Sequence, residues 1–85
     1  MDVEDFFCSK VRMRILRLLF RLEQLNTTDL TRRFGANHAI TLKYLVLLEK
    51  ENLIEHRLIG RARFFRFTDS ERAQAAMKLL EEWDA

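Results

Sequence analysis

Three arginines, Arg57, Arg61 and Arg63, stand within three positions of Gly60. Cations grouped so closely suit the grip of a phosphate backbone or a narrow minor groove. Charges at the rim of a sheet can also serve only to keep its edge from pairing, but these cluster beside a turn instead of spreading along a strand, which favours phosphate contact. Arginine outnumbers lysine eleven to four, and its planar fork suits bidentate contact with phosphate and guanine. A second set lies upstream: Asn37, His38, Ala39, Leu42 and Lys43, with Thr28 ahead of them. Lys43 has the reach for guanine or phosphate, and His38 can donate to either or stand as a plain surface residue. Leu42 and Val46 read as exposed aliphatics that touch thymine methyls or mark a protein interface.

Enzymatic chemistry finds little to work with. There is no phosphate-binding glycine loop and no nucleophile with a neighbouring base, and His38 and His56 fall on different elements without a ligand set. One cysteine, Cys8, forms no internal disulfide and no thiolate metal site by itself. It reads as a small buried apolar residue, with a redox thiol or an intersubunit disulfide as the sharper alternative. No catalytic residue, metal site, cofactor or small-molecule effector is expected.

The elements that must position the two basic sets follow from punctuation. The chain of 85 residues has two glycines and no proline, and glycine takes positive φ without steric cost. Asn26 caps a two-turn helix to Phe34 that carries the apolar pair Leu30 and Phe34 and an acidic first turn at Asp29. Gly35-Ala36 makes the turn, and Asn37 caps a longer helix to Glu51. On that helix Ile40, Thr41, Tyr44, Leu45, Leu47 and Leu48 share one broad side; Ala39, Lys43, Val46 and Lys50 lie opposite. Ile54 to Thr68, rich in β-branched and aromatic residues, is split at Ile59-Gly60-Arg61 into a hairpin. Its Phe65 and Phe67 should point into the core beneath Ile54 and Leu58.

A first helix starts near Ser9, with Val11, Ile15, Leu18, Leu19 and Leu22 as its buried stripe. Lys10, Arg14, Arg17 and Arg21 follow helical spacing on the other face, read as a solvated basic face or as a second phosphate-contacting surface. A last helix, capped by Asp69 or Ser70, aligns Ala73, Ala76, Met77, Leu80 and Trp83 in an apolar seam. The hairpin and core are complete before that seam. It therefore needs a partner, either Val3, Phe6 and Phe7 of the same chain or a second copy, and Phe6, Phe7, Met77, Leu80 and Trp83 are expected at a dimer interface.

The fold class expected is mainly α with a small β-hairpin, in the order helix, helix, helix, hairpin, helix. One domain spans 1–85: an N-terminal segment at 1–8, a nucleic-acid-binding core at 9–68 and a dimerisation helix at 69–85. Charge supports that division. Net charge is only +2, yet residues 10–66 hold thirteen basic side chains against five acidic, and both ends are acidic; such a centre suits phosphate. No run of 18 apolar residues exists, so no membrane partner is expected. The start, acidic at Asp2, Glu4 and Asp5, does not resemble a signal peptide, so the expected location is the cytoplasm.

The run from Asn26 to Thr68 resembles the winged helix-turn-helix of ArsR-like transcriptional regulators, particularly small archaeal ones. The resemblance rests on Leu30, Gly35, Leu45, Leu48-Glu49, Asn52-Leu53-Ile54 and Gly60-Arg61 followed by Phe64-Phe65-Arg66-Phe67. It covers about half of the chain strongly and the flanking helices more loosely. It implies a homodimeric, sequence-specific or semi-specific regulator on double-stranded DNA, with the third helix in the major groove and the wing alongside. A protein-contact module within a larger transcription or assembly complex is the other reading of the same fold. The Cys-x-Cys box of metal-sensing members is absent, so the resemblance implies no metal regulation.

Overall fold

The structure, a computed structural model, describes residues 10–34 and 38–84. Phe6, Phe7, Cys8, the Ser9 cap, the Gly35-Ala36 turn and Asn37 lie outside the described residues. Within them the order is α1 (Lys10–Leu22), β1 (Gln24–Asn26), α2 (Thr27–Phe34), α3 (His38–Lys50), β2 (Ile54–Ile59), β3 (Ala62–Phe67) and α4 (Glu71–Asp84). Four helices thus accompany an antiparallel sheet of three strands, ordered β1-β3-β2. The hairpin expected from Gly60 is β2 and β3, with Gly60 at φ +65° in its turn. β1 was not expected. It pairs Leu25 with Phe65 along the free edge of β3.

Local chemistry explains each boundary. Glu23 turns the chain out of α1 at φ 69° without a glycine. The Asn26 side chain accepts a 2.7 Å hydrogen bond from the Asp29 amide, the cap expected for α2. At the end of α3, Asn52 takes φ 59°, its amide donates to the Glu49 carbonyl at 2.9 Å, and the Leu53 amide donates to the Leu48 carbonyl at 3.2 Å. This pair of bonds is the Schellman closure, sealed by the buried side chains of Leu48 and Leu53. The hydroxyls of Thr68 and Ser70 both donate to the Asn52 carbonyl, at 2.8 and 2.7 Å. Ser70 also accepts from the Ala73 amide at 3.1 Å, so of the two expected caps Ser70 is the one that starts α4. The entry to α4 is thereby pinned to the exit of α3.

The core joins all the helices to one face of the sheet: Ile15, Leu16 and Leu19 of α1, Leu30 of α2, Leu45 and Leu48 of α3, Ile54 and Phe65 of the sheet, and Ala73, Ala76 and Leu80 of α4. Four expectations are corrected here. The buried stripe of α1 is centred on Ile15, Leu16 and Leu19, whereas Leu22 is 42% exposed because the helix ends there and the chain turns away. Ile40, placed on the core side of α3, is 44% exposed: the stripe runs Thr41, Leu45, Leu48, and one residue of helix is 100° of rotation. Leu58 lies on the core face of the hairpin, opposite Arg63, but one row beyond the rim of the core, and is 65% exposed. Leu80 is 2% exposed within the single chain, so it has no surface left for a dimer. The α4 seam needs no second chain over Ala73, Ala76 and Leu80; Met77 packs partly against the same core, and only Trp83, at 74% exposure in the last turn, overhangs it.

Candidate nucleic-acid interface

Three elements converge on a groove of about 310 Å3. The start of α2 supplies Thr27 and Thr28, the start of α3 supplies His38 and Leu42, and the hairpin tip supplies Arg61 and Arg63. Five expected site residues, Thr28, His38, Leu42, Arg61 and Arg63, are therefore brought together although they are up to 35 positions apart in the sequence. The placement follows from the core: Leu30 and Leu45 hold α2 and α3, and Phe65 holds β3 two residues after its neighbour Arg63 on the same strand face. Arg63 thus continues the inner face of the sheet out over the groove. The positive end of α2 faces the same space, with Asp29 offsetting part of it.

Ala39 and Lys43 are exposed on α3 beside the groove, on the side that also carries Ile40 and Val46. Near the groove that face sets Lys43 between aliphatic side chains, with Lys50 farther along in the last turn, a pattern suited to thymine methyls and a guanine or phosphate. Leu42 is corrected: it is half-buried and packs on the core, forming the groove wall instead of standing free. Arg57 lies apart from this groove. Register pairs it with Phe64, so it points to the opposite face of the hairpin from Arg63 and lines a separate depression with Glu55, His56 and Arg66. The three wing arginines are two sets, not one cluster.

Thr27 was not singled out in the sequence. It is 8% exposed, and its hydroxyl, buried at the groove, has no hydrogen-bond partner among the described residues. A buried hydroxyl left unmatched costs roughly 1–3 kcal/mol, which is tolerable where a ligand completes it. The signal available beforehand was its position, directly after the Asn26 cap at the positive end of a helix.

The geometry behind the groove is fixed by polar ties. His56 Nδ1 lies 3.0 Å from both carboxylate oxygens of Glu49, and its ring packs on Phe65 at 5.4 Å, which joins β2 to the end of α3. Glu55 and Arg66 pair across the strands at 3.0 Å. The Arg12 guanidinium sits 5.9 Å from the centre of the Tyr44 ring, between α1 and α3. Among the described residues no group of three or more His, Cys, Asp or Glu is placed to hold a metal ion.

A short helix, a second helix at its end, and a two-stranded ribbon beside the second helix's start are now on one surface. The fold is a winged helix-turn-helix. No family profile and no curated protein sequence matches the chain, but solved structures superpose on it closely. The transcriptional regulator HlyU of Vibrio vulnificus aligns with a TM-score of 0.81 at 19% identity, over 98% of this chain and 84% of its own. HlyU of Vibrio cholerae gives 0.81 at 20% identity, covering 95% and 86%. The transcriptional repressor PagR of Bacillus anthracis gives 0.74 at 14% identity, covering 89% and 85%. At such identities the likeness is one of fold. Among the described residues no helix of this winged domain is long and apolar enough to cross a membrane.

Proposed function

We propose that this winged helix-turn-helix is a transcriptional regulator that binds double-stranded DNA. In this reading the first turns of α3 enter the major groove, where His38, Ala39 and Lys43, with Asn37 ahead of them, meet base edges and phosphates. Arg61 and Arg63 of the wing hold the adjacent backbone or minor groove, and Thr27 and Thr28 complete a phosphate contact at the start of α2. The observation that carries the proposal is the groove itself: a buried hydroxyl without a partner among the described residues, a helix start and two arginines face one space. Regulatory function in HlyU of Vibrio vulnificus and in PagR supports it by analogy. On this reading its place of work is the cytoplasm.

A homodimer fits the same reading, since Trp83 and Leu79 leave an apolar ridge on α4 at a spacing of four residues. Two copies related by a two-fold axis present two α3 helices to successive major grooves about 34 Å apart, so the site is near-palindromic. Selection from random duplex DNA tests the proposal. Enrichment of a palindromic motif, lost on changing Asn37, His38 and Lys43 together, is the expected result; retention of no duplex at all contradicts it.

One observation favours the other reading, a winged helix that docks on a protein. Ile40 and Val46 leave aliphatic surface on α3, at 44% and 47% exposure. Salt separates the two, because apolar docking lacks the steep salt dependence of phosphate contact.

A further inference from the structure

A second basic site lies away from the groove between α3 and the wing. Arg14, Arg17 and Arg21 of α1 and Arg33 of α2 line a cavity of about 360 Å3, with Leu18 as its apolar wall. Arg14 and Arg21 are seven residues apart on one side of the helix, about 10 Å along the axis. Arg33 approaches from the last turn of α2. The helical periodicity of α1 accounts for its own arginines, but not for the fourth from another element.

None of the described side chains lining the cavity is acidic, and among the described residues no carboxylate pairs with Arg14, Arg21 or Arg33. Arg17 is more buried and already engaged, and it forms part of the wall. Three exposed guanidinium groups around one concavity repel one another. Each is a planar fork that matches phosphate oxygens. We propose that this cavity is a second phosphate-binding site, for a ligand that carries at least two neighbouring phosphates. The basic lining runs about 10 Å of backbone along α1 and continues onto Arg33 of a second helix, a length that a polyphosphate or a stretch of nucleic-acid strand matches better than a single phosphate. Two sources supply that chemistry: a free nucleoside polyphosphate, and DNA backbone beyond the reach of α3 and the wing.

The test uses the full chain and two variants, Arg14→Gln/Arg21→Gln/Arg33→Gln and Arg61→Ala/Arg63→Ala, each confirmed as folded by circular dichroism. Because all of these side chains are exposed, both variants keep the core. Calorimetric titration with inorganic tripolyphosphate at low salt is expected to show saturable binding in the wild type. Binding should weaken at least tenfold in the triple variant and persist in the wing variant. This readout needs no DNA, so it stands even if the chain proves to dock on protein. A second arm measures the salt dependence of duplex binding. A slope reduced by about 2.7 in the triple variant, at 0.9 for each lost phosphate contact, identifies the source as DNA; an unchanged slope with tripolyphosphate binding intact in the wild type identifies a free polyphosphate. Tripolyphosphate that binds the triple variant as well as the wild type overturns the proposal, as does an absence of saturable binding together with an unchanged slope.

Discussion

Replacing Thr27 with Val should move stability and DNA affinity in opposite directions. The substitution keeps the β-branched shape and exchanges one hydroxyl for a methyl at a site 8% exposed. In the free protein that hydroxyl has no partner among the described residues, so its removal relieves a penalty of roughly 1–3 kcal/mol. For a domain of this size each kcal/mol raises Tm by about 4–8 °C, and the variant should melt at least several degrees higher. If the hydroxyl donates to a DNA phosphate in the complex, the variant loses a hydrogen bond to a charged group, worth about 1.5–3 kcal/mol, or roughly 10- to 150-fold in Kd. Differential scanning calorimetry and fluorescence anisotropy on a selected duplex give both numbers from one preparation. A variant that melts no higher than the wild type and binds DNA equally well refutes the assignment of Thr27 to the interface.

Leu80→Glu should unfold the monomer instead of merely separating subunits, because it places a charge where the side chain is 2% exposed. Truncation to Ala at such a site already costs about 2–5 kcal/mol, and a folded, monomeric L80E protein by circular dichroism and sedimentation would show that Leu80 belongs to an interface after all. Trp83→Glu, by contrast, changes a side chain that is 74% exposed; it should leave Tm within a few degrees while shifting sedimentation toward the monomer, and an unaltered dimer removes Trp83 from the contact. Asn52 holds φ 59° at the close of α3, so Asn52→Gly should be tolerated and Asn52→Ala should cost about 1 kcal/mol in chemical denaturation; equal midpoints for the two would mean that the left-handed closure is not under strain.

Much of this fold was legible because its signals are local. Asn26 as a cap, Leu30 on a short helix, Gly60 in a hairpin turn and Ser70 ahead of the last helix each act within a few residues, and each is found where the sequence places it. What was not legible depends on distant pairing. Gln24-Leu25-Asn26 is too short to show alternation and becomes a strand only against Phe64 to Arg66. Glu23 turns the chain at positive φ without a glycine to announce it. The site behaves the same way: Arg61 and Arg63 follow from the turn, whereas the separation of Arg57 from Arg63 follows from register, which sets Arg57 against Phe64. The seam on α4 was visible as a stripe, but a stripe does not say which surface covers it. Leu16 and Leu80 in one core, with Trp83 outside it, is a matter of where the helix meets the rest of the chain.

If the wing and the start of α3 grip DNA by its phosphates, salt must loosen that grip. The most direct measurement is the dependence of duplex affinity on salt, in the wild type and in Arg61→Ala/Arg63→Ala. Each phosphate contact contributes about 0.9 to the slope of log Kd against log salt, so the double variant should lose close to 2 units of a steep wild-type slope, on selected and random duplexes alike. A wild-type affinity that stays flat as salt rises, or a slope that survives in a folded double variant, contradicts the account.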